Sequence, residues 1–162
     1  MARFMSELQS KTVSETAIHD QVDVVFPNDL NTYGTLFGGR VLEKADRLCA
    51  IVAKRHTGKV CVTLAIDSVR FLAPAKHGDI LILQASINRV WRTSMEIGIR
   101  VTAENYSTQK KTRIFSAYFT FVALDDQLKP VPIPPVVPVT DEEKRRYEQA
   151  EVRRQHRMKM SK

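Results

Sequence analysis

The apolar periodicity of this chain changes once, at Val60, and that change leaves few folds open. Before it, Val41, Leu42, Ala45, Leu48, Cys49, Val52 and Ala53 recur at helical spacing, with Arg40, Glu43, Lys44, Arg47, Lys54 and Arg55 off that face. The spacing predicts one amphipathic helix over Gly39–Arg55, ended at Thr57-Gly58. After Val60 the period is two. Val60–Phe71 alternates, with Val62, Leu64 and Ile66 on one side, and Ile80–Trp91 follows a turn marked by Pro74 and Gly78-Asp79. Ser94–Glu104 sets Met95, Ile97, Ile99, Val101 and Ala103 against Glu96, Arg100, Thr102 and Glu104. Lys111–Leu124 places Phe115, Ala117, Phe119 and Phe121 together, and a shorter run, Gln21–Phe26, precedes the helix. Several of these strands exceed the usual length of about five or six residues. Long strands that meet one helix imply an α+β fold, a strongly curved antiparallel sheet of about five strands wrapped around a central helix.

The 162 residues suit a single compact unit, and a hydrophobic share of 43% supplies its core. Residues 1–15 are polar and unpatterned and read as a frayed lead-in or a loosely docked edge segment. Five prolines between Leu128 and Pro138 demand an extended tether. Thr140 and Glu143 stand at capping-box spacing and start a charged helix with few apolar residues, one expected to fray or to rest on a neighbouring subunit. The chain therefore divides into a body, residues 1–138, and a charged helical tail, residues 139–162.

No apolar run reaches the roughly 20 residues needed to cross a bilayer, and the polar N-terminus lacks the apolar segment of a secretory signal. Two cysteines, Cys49 and Cys61, both in apolar runs, point to a reducing, cytoplasmic setting. The net charge of +7 suits an anionic partner. The tail carries eight Lys or Arg against five Asp or Glu, and the rest is spread without a run of like charge. That charge suits nucleic acid and a phosphate-bearing small molecule equally well, although RNP1-type aromatics are missing. The four histidines show no ligand spacing, so neither a metal nor another cofactor is expected.

Three clusters can carry chemistry. Gly38 and Gly39 open the helix, where free N–H groups and the helix dipole favour a developing negative charge. The same pair can simply let the helix pack closely. Asp46 borders the apolar face of the helix; it is either a solvated helix residue or a partly buried carboxylate fit to act as general base or nucleophile. Asn31, in the preceding loop, either closes an Asx-turn or orients a water or carbonyl. At the turn around Trp91, Arg89, Arg92, Thr93 and Ser94 either solvate a hairpin tip or hold phosphate.

The segment Pro27–Asp46 (PNDLNTYGTLFGGRVLEKAD) resembles the signature of the hotdog-fold acyl-CoA thioesterases. The likeness continues through Val62–Gly78, Trp91–Ile97 and Ala117–Leu124 and covers roughly residues 15–135 in order. It implies a hotdog domain over residues 1–138 that hydrolyses acyl-CoA to free CoA and a carboxylic acid, with CoA as part of the substrate and no separate cofactor. The resemblance thus implies acyl-CoA as partner, with no nucleic acid and no membrane. Asp46 takes the position of the family's helix acid and Asn31 that of its loop asparagine, with the Gly38 or Gly39 N–H polarising the thioester carbonyl. Family members form dimers, often three to a hexamer, so Asp46 and Asn31 from opposite subunits would meet. The rival on the same fold is a non-catalytic acyl-CoA sensor, which usually carries a DNA-binding segment; the roughly 20 residues before the first strand are too short and polar for one.

Overall fold

A computed structural model describes residues 8–160. In chain order the elements are β1 (Lys11–Thr12), β2 (Ile18–Val24), α1 (Gly38–Thr57), β3 (Val60–Phe71), β4 (Ile80–Val90), β5 (Ser94–Glu104), β6 (Lys111–Leu124), β7 (Val136–Val137) and α2 (Asp141–Met160). Five strands form one antiparallel sheet in the order β2-β4-β5-β6-β3, and β1 pairs with β7 in parallel as a separate two-stranded piece. No helix among the described residues is long and apolar enough to cross a membrane.

The inner face of the sheet wraps α1. Val41, Ala45, Leu48, Cys49, Val52 and Ala53 are buried against the alternating apolar positions of β4, β5 and β6, among them Leu83, Ile97, Phe115, Phe119 and Phe121. Each such large side chain contributes about 1.5–3 kcal/mol on leaving water. Phe37 starts the helix with extended backbone angles and accepts the N–H groups of Arg40 and Val41. Gly58 ends it at φ 64°, a left-handed conformation that suits glycine, and donates to the Lys54 carbonyl.

The helix extends beyond the Arg55 end that its apolar spacing indicates. His56 lies in its last turn, fully buried, with Nε2 2.7 Å from the Pro134 carbonyl. Burial lowers its pKa, so it is neutral and donates from Nε2 to that carbonyl. Lys11 caps the same helix end through the Arg55 and His56 carbonyls at 3.0 and 2.9 Å. Of the two readings of the lead-in, the structure gives the docked one from Lys11 onward, with Val13 buried; residues 1–7 of that expectation lie outside the described residues.

β3 departs from its simple alternation. Its pairing with β6 shifts register between Thr63 and Ala65 and again between Asp67 and Arg70. Thr63 and Ile66, opposite Phe121 and Phe119, share the inner face, whereas Val62, opposite Val122, belongs to the outer one. Val62, Leu64 and Ile66 thus do not form one face, because each extra residue reverses the side chains that follow it. All three are exposed on this edge strand.

The tail helix begins as its capping box indicates: Glu143 N–H donates to Thr140 Oγ1 at 3.2 Å, and Thr140 N–H donates to Glu143 Oε2 at 3.1 Å. It runs unbroken to Met160. Polar contacts fasten it to the outer face of its own sheet. Glu96, 0% exposed, receives Arg153 on both carboxylate oxygens at 2.6–3.2 Å and the Asn88 amide at 3.0 Å. Arg153 also lies over the Tyr118 ring at 3.7 Å, Arg157 reaches Asp67 at 2.7 Å, and Trp91 Nε1 donates to Glu151 at 2.8 Å.

Removing one partner of a buried ion pair leaves an uncompensated charge and costs about 3–5 kcal/mol. Arg153→Met is expected to lower the unfolding free energy by about 3 kcal/mol in urea titration, since Arg157 and Asn88 still face Glu96. Arg145→Met, on the exposed side of α2, is expected to leave the urea midpoint unchanged. Equal midpoints for both variants would contradict this assignment of Glu96.

Candidate active site

Asp29 closes the loop that leads into α1. Its buried carboxylate accepts the Phe26 N–H at 3.0 Å, and its carbonyl accepts the Phe37 N–H at 2.8 Å. Between these anchors Asn31 organises the turn. Its Oδ1 accepts the N–H groups of Tyr33 and Thr35 at 2.9 and 3.2 Å, and its Nδ2 donates to Thr35 Oγ1 at 3.0 Å. Asn31 therefore builds an Asx-turn, and its second amide hydrogen has no partner among the described residues. The Leu36 N–H donates to the Ala75 carbonyl at 2.8 Å and pins the loop to the β3–β4 connection.

The surroundings of Gly38 and Gly39 are compatible with both readings. A Cβ on Gly38 would stand 3.1 Å from the Phe71 ring, and one on Gly39 2.6 Å from the Phe37 ring, so both positions require close approach. As the first residues of α1, they also have N–H groups with no acceptor inside the helix. Among the described residues no carbonyl or side chain takes these hydrogens. Two aligned donors at the positive end of a helix dipole are left facing outward.

Asp46 is half-buried, and its Oδ1 accepts a 2.6 Å hydrogen bond from Thr63 Oγ1 on the inner face of β3. That bond fixes the carboxylate plane and leaves Oδ2 without a hydrogen-bond partner among the described residues. Thr63, bonded to the candidate carboxylate, carries no mark of that role in the sequence. The sequence shows only a hydroxyl on an apolar strand, and the register shift beside it hides which way it points. Cys49, one turn beyond Asp46, is no competing nucleophile: burial, and then the Asp46 charge, push its thiol pKa well up.

The protomer does not bring these groups to one point. Gly38 and Asp46 lie on one straight helix, roughly 12 Å apart at ~1.5 Å per residue. A reacting carbonyl needs its base and its oxyanion donors each within about 3 Å. The hairpin cluster lies elsewhere. Ser94, opposite Val122, faces outward, on the other side of the sheet from Asp46. Arg89 is occupied by α2: its Nε is 3.3 Å from the Glu151 carboxylate, its Nη1 donates to the Tyr147 carbonyl, and its guanidinium lies 4.2 Å from the Tyr147 ring centre. The carbonyls of Arg92 and Thr93 hold the Ile133 and Ala123 N–H groups. Of the two arginines in the cluster, only Arg92 presents an exposed guanidinium without an ion pair among the described residues.

Along the free edge of β3 and over the loop the surface is apolar. Val60, Val62, Leu64, Phe71 and Leu72 on or next to the edge strand β3 are 43–67% exposed, and Phe26, Tyr33 and Phe37 extend the patch over the loop. An unpaired edge carrying such a patch is a surface for association. Among the described residues no group of His, Cys, Asp and Glu is placed to hold a metal ion.

The sequence pattern of the thioesterase superfamily matches residues 33–108. Over 119 residues the chain is 41% identical to an uncharacterized acyl-CoA thioester hydrolase of Bacillus subtilis, a match covering 74% of this chain and 69% of that protein. A hexameric acyl-CoA thioesterase of known structure superposes with a TM-score of 0.91 at 40% identity, over 95% of this chain and 98% of that one. The acyl-CoA hydrolase of Staphylococcus aureus, solved with butyryl-CoA and CoA, superposes with a TM-score of 0.86 at 37% identity, over 94% of this chain and 92% of that one. These shares extend past Pro138, so the likeness takes in part of α2 as well as the region the signature covers. A sheet wrapped around one long helix, matched in sequence and along nearly the whole chain in space, places this protein in the hotdog-fold acyl-CoA thioester hydrolase family.

Proposed function

We propose that the protein hydrolyses acyl-CoA thioesters at a site shared between two copies of the chain. Asp46 of one copy acts there with the Gly38 and Gly39 N–H donors and Asn31 of the other. The observation that carries this reading is the separation of carboxylate and donors along one rigid helix, next to an unpaired apolar edge. A second copy on that edge covers the patch and supplies the missing half of each site. The hexameric assembly of a close structural neighbour supports it. So do alanine variants of the S. aureus enzyme at one Asn, one Asp and one Thr, which follow one another at the spacing of Asn31, Asp46 and Thr63 here.

The chemistry follows from the groups. The glycine N–H pair stabilises the negative charge that develops on the thioester oxygen. Asp46, oriented by Thr63, either takes a proton from water as it attacks the carbonyl carbon or attacks that carbon itself. The C–S bond breaks, the sulfur leaves as CoA thiolate and is protonated, and the acyl group ends as a carboxylate. In the second route water then cleaves the mixed anhydride. Arg92 grips the CoA phosphates from the turn, with Thr93 and Ser94 beside it, while Arg89 supports that turn through α2. Two free, buried cysteines fit the reducing, cytoplasmic setting read from the sequence.

Asp46→Asn keeps the shape of the side chain and removes its basicity. Thiol release is expected to fall on the order of a hundred- to ten-thousand-fold with acyl-CoA affinity retained, whereas a non-catalytic sensor would show no turnover to lose. Wild-type turnover in this variant would remove Asp46 from the mechanism. Light scattering is expected to give a dimer or a trimer of dimers, and an active monomer at micromolar concentration would refute the shared site. Arg92→Ala is expected to raise KM for acyl-CoA on the order of tenfold and to spare acyl-pantetheine, which lacks the nucleotide. Equal effects on the two substrates would remove Arg92 from the phosphate contact.

A further inference from the structure

On the side of α2 away from the Arg92 turn, the outer face of the sheet carries three arginines that make no ion pair among the described residues. Directly opposed residues of antiparallel strands point to the same face, so the register sets Gln84, Arg100, Ser116 and Arg70 in one row across β4, β5, β6 and β3. Arg113, opposite Thr102, stands in the next row on that face. α2 lies alongside and adds Arg146, whose charge is met by Glu142 at 2.9 Å.

Arg100 is half-buried, and its Nε and Nη2 donate only to the neutral Gln84 Oε1, at 3.0 and 2.6 Å. Arg70 and Arg113 make no ion pair among the described residues. Burial, and then the charges of Arg113 and Arg146, lower the Arg100 pKa from its usual value, and the more weakly acting Glu142 carboxylate offsets them only in part. Elsewhere on this sheet the protein matches arginine with acid: Arg153 with Glu96, Arg157 with Asp67, Arg89 with Glu151. A partly buried guanidinium facing its own kind is a costly arrangement that an anion between them relieves.

We infer that Arg70, Arg100 and Arg113, with Ser116 between the first two, form a binding site for a phosphate-bearing small molecule. Arg70 and Arg100 are two strand spacings apart, roughly 10 Å, with Ser116 midway. Two forked donors around a hydroxyl at that distance suit a diphosphate better than a single carboxylate. In one protomer the sheet separates this site from Asp46. The inference does not rest on the thioesterase reading, and its test involves no turnover.

Calorimetric titration of the full-length protein with ADP, with CoA and with inorganic pyrophosphate tests the site. Arg100→Gln and Arg113→Gln serve as variants, and circular dichroism verifies their folding; Arg113 is exposed, so its variant keeps the test decisive if Arg100→Gln unfolds. At least one of the three ligands is expected to bind saturably, more weakly as salt rises, and to lose on the order of tenfold or more in affinity in the variants. Affected binding by ADP or pyrophosphate identifies a free phosphate compound as the ligand. Affected binding by CoA alone identifies the nucleotide end of the substrate, and either result supports the site. Absence of saturable binding by all three, or unchanged affinities in the folded variants, would overturn it.

Discussion

A straight helix cannot fold its own N-terminus back onto a side chain two turns further along, and this limit shapes the protein at every level. The core fixes α1 in place: its apolar stripe is locked into the inner face of the sheet from Val41 to Ala53, so no bend relieves the separation of Gly38 from Asp46. Each end of that helix is also tied from outside. Asp29 and the Ala75 carbonyl hold the entry, while Lys11, Gly58 and His56 hold the exit. A chain built this way presents two half-sites and an apolar edge beside them. On the proposed mechanism, association serves the chemistry as well as covering β3.

The outer face obeys a different rule. The inner face is closed by apolar packing, whereas the outer face is closed by charge placed where water has been removed. Glu96 lies at a polar position of β5 and is wholly buried because α2 brings Arg153 and Arg157 to it. Trp91, Tyr118 and Tyr147 offer their rings to arginines along the same seam. Such pairs gain stability only as complete sets, so α2 is held in one orientation. The same seam consumes Arg89 and leaves Arg92 and Arg100 on opposite flanks of the helix.

The sequence reveals the periodic parts of this structure and conceals the parts that depend on long-range partners. The sheet strands β3, β5 and β6 run over the residues their alternation marks, and the Thr140 capping box forms as its spacing indicates. Helix-border acids, Asx-turns and helix-start glycines have local signatures that single out Asp46, Asn31 and the glycine pair, but those signatures leave a structural role open at each position, and it is the resemblance to the family signature that singles them out for chemistry. Thr63 was not legible, since its direction depends on a register shift that no pattern on β3 announces. The docking of α2 was not, because its partners Glu96 and Asp67 lie far away in the sequence and arginine pairs leave no periodic trace. The pairing of Lys11–Thr12 with Val136–Val137 was hidden for a similar reason, as two-residue strands are too short to alternate.

The shared site is tested most directly by mixing two inactive proteins. Asp46→Asn subunits retain Asn31 and the glycine donors, and Asn31→Ala subunits retain Asp46. If each site draws Asp46 from one copy and Asn31 from its partner, a mixed dimer contains one site with both residues intact and one with neither. Dissociating the two variants, mixing them in equal amounts and reassembling them should then restore thiol release to about a quarter of the wild-type value, since half the dimers are mixed and half their sites intact. If both residues served the same subunit's site, every site in the mixture would carry one defect. Thiol release no higher than that of the separate variants would contradict the account.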